Sequence, residues 1–355
     1  MKIHYSSSIK KEEKNELLYL NTVLNDRYII KGLIITTERG AVYIGEERDT
    51  KKIYAIKELR PSLAISDEDR KYAVNKFIQE ARLLSELKFT SVPEFREYFV
   101  SGGNHYIIME FIEGLDMEDM VTTTGNPGLP QETVINWGIE LCNIMDYLHN
   151  YSPTLIYRDM KPGNIMIRNS DQTVVLIDFG IAIPVYEKLK CISGTKIGTM
   201  GYMAPEQFYG KVSPASDIFS LGATLYFTLT GRVQQLFNYM PLKNFITPVD
   251  DELERLIATA LKDKPEERIS SAAEFKQILL DIKYRLEEKN LKEKEEFIRL
   301  MNNIEDNNSM LLRIDRFIPD KTMDEITPPG KKKKSWIYRF WERIRYFFLH
   351  IILNR

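Results

Sequence analysis

The chain has 355 residues, a formal net charge of −2, 43% hydrophobic residues and 28% charged ones, which suits a globular, mainly soluble protein with room for two packed lobes and a tail. The charge is uneven: residues 331–355 hold eight Lys or Arg and one Glu, a net of +7, leaving −9 on the remainder. An acidic body with a basic tail argues against a nucleic-acid-binding core and for a partner at the C-terminus.

The opening MKIHYSSSIKKEEKNELLYL has no apolar core of the signal-peptide kind, so no signal peptide is expected. Residues 1–26 are polar, with a short helix expected around Glu12–Leu24 and no assignable chemistry. RYIIKGLIITTERGAVYIGEE (27–47) reads as two strands around a turn, and KKIYAIKEL (51–59) as another strand. A helical pattern follows over Tyr72–Leu87 and carries Glu80. VPEFREYFVSGGNHYIIMEFIEG (92–114) reads as two strands joined at Ser101–Asn104, and LPQETVINWGIELCNIMDYLH as an amphipathic helix. Cys142 in that helix and Cys191 are the only cysteines and read as free thiols in a reducing compartment.

The most informative stretch is IYRDMKPGNIMIRNSDQTVVLIDFG (156–180). IMI (165–167) and VVLI (174–177) read as strands joined by a turn at Asn169–Gln172. That hairpin places Asn164 just before its first strand and Asp178 just after its second, so both side chains can reach one point. Two such oxygen ligands suit Mg²⁺, which keeps several waters and completes its coordination with substrate phosphates. Asp159, on the preceding loop, can accept a proton from an incoming hydroxyl. Lys161 can neutralise charge on a transferring phosphoryl group.

SDIFSLGATLYFTLTG (216–231) is an apolar helix opening on Ser216 and Asp217, good N-terminal residues in any helix. Residues 286–330 turn polar and charged, with a helix expected to about Asn303 and linker beyond. In KKKKSWIYRFWERIRYFFLHIILNR (331–355), Arg339, Glu342, Arg343, His350 and Asn354 share a narrow polar face, while aromatic and aliphatic residues cover most of the rest. Its longest unbroken apolar run, Tyr346–Leu349, is too short for a transmembrane span.

The 156–180 stretch resembles the catalytic and metal loops of protein kinases, RD-x-K-x-x-N followed by DFG, with Tyr157 at the usual His. GTMGYMAPEQ (198–207) resembles the kinase substrate-docking loop ending in APE. The likeness runs from about Tyr28 to Arg285, and the wording YRDMKPGNIM is similar to that of bacterial serine/threonine kinases. It implies an α+β fold of two lobes, a small β-rich N-lobe and a larger, mainly helical C-lobe. The chain then divides into an N-terminal extension (1–26), a kinase domain (27–287), a charged linker (288–330) and a basic amphipathic tail (331–355).

The resemblance also implies roles. Lys57 would hold the α- and β-phosphates of ATP and be locked by an ion pair with Glu80. Val42 and Ala55 above and Met166 below would enclose the adenine. Met109 would stand at the back of the pocket, and Glu110 to Ile112 would form the hinge, using backbone groups. The glycine-rich loop falls on Ile35, Thr37 and Gly40, of which only Gly40 keeps its glycine, so tight phosphate clamping is in doubt. Leu84, Phe95, Tyr157 and Phe179 would stack between the lobes, although core packing alone also accounts for such residues. Thr199 would bond Asp159 and Lys161, Glu206 would pair with Arg268, and Asp217 would bind the catalytic-loop backbone. Arg158 would meet a phosphate on the activation segment at Thr195, with Ser193 as second choice.

The expected reaction is transfer of the ATP γ-phosphoryl group to Ser or Thr hydroxyls of proteins, with Asp159, Lys161, Lys57 and Glu80 catalytic, Asn164 and Asp178 on Mg²⁺ or Mn²⁺, and autophosphorylation. Two alternatives stay open: a pseudokinase scaffold, favoured by the poor glycine loop, and a kinase-like enzyme acting on a small molecule. The expected location is cytoplasmic, with the tail either on the anionic inner face of the membrane or docked on protein.

Overall fold

The computed structural model describes residues 17–124, 128–184, 199–235 and 238–314, with side chains to Arg299. It divides into two compact units, 1–283 and 284–355.

The first unit opens with an antiparallel sheet. Its strands are β1 (Val23–Leu24), β2 (Tyr28–Thr37), β3 (Gly40–Glu47), β4 (Ile53–Leu59), β5 (Phe95–Ser101) and β6 (Asn104–Glu110), in the order β1-β2-β3-β4-β6-β5. Side chains alternate between the faces. Tyr43 lies opposite Ile56, and Ile56 opposite Ile108. With Tyr28, Ile30, Tyr54 and Tyr106 they form a buried cluster on one face. Lys57, one residue out of phase with Ile56, stands on the other face, beside its cross-strand partner Val42. Within the cluster the buried Glu58 carboxylate accepts from Tyr43, Tyr106, Asn104 and Arg60 at 2.8–3.0 Å, which satisfies a charge that would otherwise be costly to bury.

β1 lies in the stretch where a helix was expected. Asn21, at φ 67°, donates its N–H to Ile30 O, and the chain continues as a strand paired with β2. Leu24 is buried in the sheet cluster. Sheet pairing offers this short segment backbone partners and a burial site, which outweigh its local helical preference.

α1 (Asp67–Glu86) packs on β5 and β6 and begins at Ser66, whose hydroxyl accepts from Asp69 N–H at 3.1 Å. It starts earlier than the periodicity suggested because its first turn, DEDRK, is polar and exposed, with three acids that suit a helix N-terminus. After the hinge come β7 (Gly114–Asp116), α2 (Met117–Thr124), α3 (Gln131–His149), β8 (Leu155–Ile156), β9 (Ile165–Arg168), β10 (Val174–Leu176) and β11 (Ile183–Pro184). β7, β9 and β10 form one small sheet and β8 pairs with β11. α4 (Pro214–Thr230) is buried all round from Ser216 onward, so it carries no amphipathic pattern. α5 (Asp251–Ala260) packs on it. The Cys142 thiol of α3 is free and buried, and burial pushes its pKa up; Cys191 lies outside the described residues.

α6 runs from Ala272 to Ile314, and its later turns make up the described part of the second unit. It extends past Asn303 into the stretch read as linker. No Gly or Pro interrupts it, and its exposed turns carry Glu288–Lys292 and Lys289–Glu293 ion pairs at i,i+4 spacing. No helix among the described residues is long and apolar enough to cross a membrane; residues 331–355 lie outside the described residues.

Candidate active site

β4 and α1 meet through Lys57 and Glu80. The Lys57 ammonium lies 2.6 Å from Glu80 Oε1 and 2.9 Å from Asp178 Oδ1. Burial alone would lower the ammonium, but Asp178 and Glu80 outweigh it and raise the pKa. In return Lys57 holds the Asp178 carboxyl below its ordinary range. Asp178 sits at φ 63°, a strained setting for a side-chain-bearing residue and common at functional sites. Gly180 follows, its N–H 3.2 Å from Asp178 Oδ1; a Cβ on it would stand 3.2 Å from that oxygen and 3.3 Å from Glu80 Oε2. A side chain here would crowd the two carboxylates by a few tenths of an ångström.

The second group is built on the loop between β8 and β9. Asp159 Oδ1 accepts from Thr199 Oγ1 at 3.2 Å, and Asp159 Oδ2 from Asn164 Nδ2 at 2.8 Å. Lys161 Nζ donates to Thr199 Oγ1 at 2.9 Å and stands 3.5 Å from Asp159 Oδ2. Burial raises the Asp159 pKa against the opposing pull of Lys161 and Asn164, which increases its affinity for a proton. Asn164 also donates to the Asp159 carbonyl at 2.9 Å. Its amide nitrogen therefore orients the proximal carboxylate, a contact the sequence reading missed, and only its amide oxygen could face a metal. The donor set fits a hard divalent cation such as Mg²⁺ or Mn²⁺: an ionised, half-exposed Asp178 and the amide oxygen of Asn164, tied together by Ile177 N–H to Asn164 O at 2.9 Å. Among the described residues no three His, Cys, Asp or Glu gather as a metal cage, so waters and phosphates would complete the shell.

The loop that carries the second group hangs on buried Asp217 at the start of α4. Asp217 accepts from the N–H groups of Tyr157 at 2.9 Å and Arg158 at 2.8 Å, and His149 Nε2 lies 2.9 Å from it. His149 was not singled out from the sequence; a polar residue closing an apolar helix just before the catalytic loop was the available signal. Tyr157 fills the place of the usual His. Its ring packs edge-on against Phe179 at 5.2 Å and its hydroxyl donates to Ile177 O. Leu84 is buried and Phe95 half-buried. Arg268 clamps Glu206 through two bonds of 2.7 and 2.8 Å.

Of the expected nucleotide residues, Val42, Ala55 and Lys57 share one sheet face, with Ala55 opposite Met109. Ile35 pairs with Val42 and is 57% exposed. Met166 lies on β9, two residues past Asn164, and Ile112 is buried in the hinge. The Glu110 N–H is given to Glu94 O at 2.8 Å, and its side chain pairs with Arg168 of β9 at 2.7 Å, strapping the hinge to the sheet below. A Cβ on Gly40 would fall 1.8 Å from Glu58 O. The approach of β4 by itself demands this glycine. Ser193 and Thr195 lie outside the described residues.

The model of the protein kinase domain family matches residues 36–282. The chain is 28% identical over 275 residues to serine/threonine-protein kinase D of Synechocystis sp., covering 73% of this chain and 53% of that protein. It is 31% identical over 258 residues to serine/threonine-protein kinase Pkn1 of Myxococcus xanthus, covering 68% and 36%. The chain spans about half the length of the first curated relatives it matches. The crystal structure of the Mycobacterium tuberculosis PknI kinase domain superposes with a TM-score of 0.59 at 23% identity, over 75% of this chain and 99% of that one. The fold is the two-lobed protein kinase fold, and the chain belongs to the protein kinase domain family.

Proposed function

We propose that the protein is an ATP-dependent serine/threonine protein kinase. The observation that carries this reading is the joined array Lys57–Glu80–Asp178 and Asn164–Asp159–Thr199–Lys161, complete in residue type and in contact. Asp159 receives the proton of the substrate hydroxyl, its two oxygens aimed by Thr199 and Asn164. Lys161 offsets charge on the moving phosphoryl group. Lys57, fixed by Glu80, positions the α- and β-phosphates. Asn164 and Asp178 would hold Mg²⁺ or Mn²⁺, which supplies charge neutralisation between the phosphates. Val42, Ala55 and Met166 would enclose adenine, and since the Glu110 N–H is engaged, Glu110 would offer adenine its carbonyl.

The complete array speaks against a pseudokinase scaffold. Thr199, on the docking loop, is tied to Asp159 and Lys161, which favours a peptide substrate over a small molecule. Incubation with labelled ATP, Mg²⁺ and a generic protein substrate tests all three: label in protein Ser or Thr is expected, and nucleotide binding without any transfer would favour the scaffold. The basic tail, 331–355, would hold the enzyme against an anionic membrane surface.

A further inference from the structure

The geometry points to Arg39, at the tip of the β2–β3 hairpin, as a phosphate-binding residue that takes over part of the work of the missing glycines. This deepens the ATP reading and rests on it. Ile35 and Thr37 stand where backbone would otherwise approach phosphate unhindered. The β2–β3 ladder runs to its end at Thr37 opposite Gly40, so the turn has only two residues, Glu38 and Arg39. The ladder shifts register between Ile30 and Gly32 and between Leu33 and Ile35, and its tip carries a cation, Arg39.

That cation lines, with Thr37, Lys57, Lys76, Glu80 and Asp178, a cavity of about 310 Å³ that reaches onto α1. The phosphate-side lysine, the candidate metal ligand and the tip arginine thus border one volume. Lys57 is shared by Glu80 and Asp178, Arg60 pairs with Glu58, and Arg39 with Asp69. An incoming polyanion would therefore meet Arg39 through the donors that Asp69 leaves open.

Arg39 is also held in place. Its Nη2 donates to Asp69 Oδ1 at 2.7 Å, and its carbonyl accepts from Arg60 N–H at 2.8 Å. Asp69 is itself set in the first turn of α1, its N–H on the Ser66 hydroxyl and its Oδ2 accepting from Ile65 N–H at 3.2 Å. A guanidinium has five N–H donors, and among the described residues only Asp69 meets this one. The remaining donors can fork onto phosphate oxygens, a geometry in which arginine is effective. Because α1 also carries Glu80, the Asp69 anchor sets the tip arginine and the Lys57 clamp from the same helix.

The test is calorimetric titration of the full chain with MgATP and, separately, with adenosine, on the wild type and on Arg39→Met, Arg39→Lys and Asp69→Asn. Arg39→Met should weaken ATP about tenfold, the scale of a charge-assisted bond, and leave adenosine within about twofold. Arg39→Lys should recover part of the loss. Asp69→Asn keeps the cation but frees it, and should cost less than Arg39→Met. Equal ATP affinity in Arg39→Met and wild type overturns the assignment. So does a parallel loss of ATP and adenosine, which would mark Arg39 as a structural tie of the hairpin. A wild-type chain that binds neither ligand would overturn the kinase reading itself, and the role of Arg39 with it.

Discussion

The Arg268 guanidinium, fully enclosed, meets the Glu206 carboxylate through two parallel bonds and spends its other donors on the carbonyls of Lys262, Ala215 and Asp263. The pair joins the docking loop to the segment before α6. Burial would raise the Glu206 pKa, but Arg268 and Ser216 overcome it and hold the carboxyl below its ordinary range. Arg268→Ala strands that carboxylate and three carbonyls. It should cost about 3–5 kcal/mol of stability, read from denaturant midpoints, and Arg268→Lys should recover little because one ammonium cannot serve the bidentate geometry. A midpoint unchanged in Arg268→Ala would show that the pair does not hold the lobe together.

Asp159→Asn and Asp178→Asn should both abolish phosphoryl transfer with the fold intact, yet shift stability in opposite directions. Asp159 has a raised pKa. The fold therefore favours its protonated form: that stability is present below the ordinary carboxylate pKa and lost as pH rises through the raised one. At neutral pH the charge costs stability, so Asp159→Asn should melt higher, by about 2–4 °C for each ~1 kcal/mol relieved, and the gain should vanish in acid. Asp178 has a lowered pKa because of Lys57; its stability is present above the ordinary value and lost as pH falls through the depressed one. Asp178→Asn should melt lower at neutral pH. Thermal melts at neutral and acidic pH check both signs, and substantial turnover in Asp178→Asn would sink its assignment to the metal.

Ile35→Gly combined with Thr37→Gly should lower KM for ATP, since closer backbone approach adds phosphate contacts. Both positions lie in paired strand, so a modest loss of thermal stability should accompany the gain. Steady-state kinetics over a range of ATP concentrations decides it. An unchanged or higher KM would leave the tip arginine as the main phosphate device of this hairpin.

Arg158 sits at φ 74°, buried, with no hydrogen-bond partner for its Nε among the described residues. Burial holds its guanidinium pKa below the ordinary value, so an anion delivered there would relieve an exposed energetic cost. A phosphothreonine brings about −1.5 to −2 charges. Autophosphorylation is expected at Thr195, with Ser193 second, and Arg158→Gln should erase the activity difference between ATP-treated and phosphatase-treated enzyme. Mass spectrometry finding neither site modified after ATP treatment would count against it.

The tail predicts salt-sensitive binding to anionic vesicles. Each of its Lys and Arg near such a surface contributes ~1 kcal/mol. The full chain should sediment with anionic but not neutral liposomes at low salt, and a chain ending at Gly330 should do neither. A full chain that stays in the supernatant with anionic liposomes would leave protein docking as the better account of the tail.

The candidate site was legible in the chain because its residues lie close together in sequence. Asp159, Lys161, Asn164 and Asp178 fall within one loop and one hairpin, and a two-strand hairpin has few ways to point its flanking side chains. The sheet strands declared themselves by alternation, whereas the pairing of Lys57 with Glu80 came from the likeness to protein kinases, laid over a strand followed by a periodic helix. Local pattern could also mislead. Of the N-terminal segment that looked helical, the end, Val23–Leu24, became β1, because a neighbouring strand edge offered it hydrogen bonds that no local rule counts; residues 12–16 of it lie outside the described residues. α4 gave no face to read because every side of it is buried. Tertiary structure alone decided that Gly40 is required by the approach of β4, that Asn164 turns its amide nitrogen on Asp159, that Glu110 is strapped to Arg168, and that Arg39 is anchored by Asp69. Those pairs are set by strand register and by the seating of α1 on the sheet, which depend on the summed packing of distant residues and leave no trace in the spacing of any one segment.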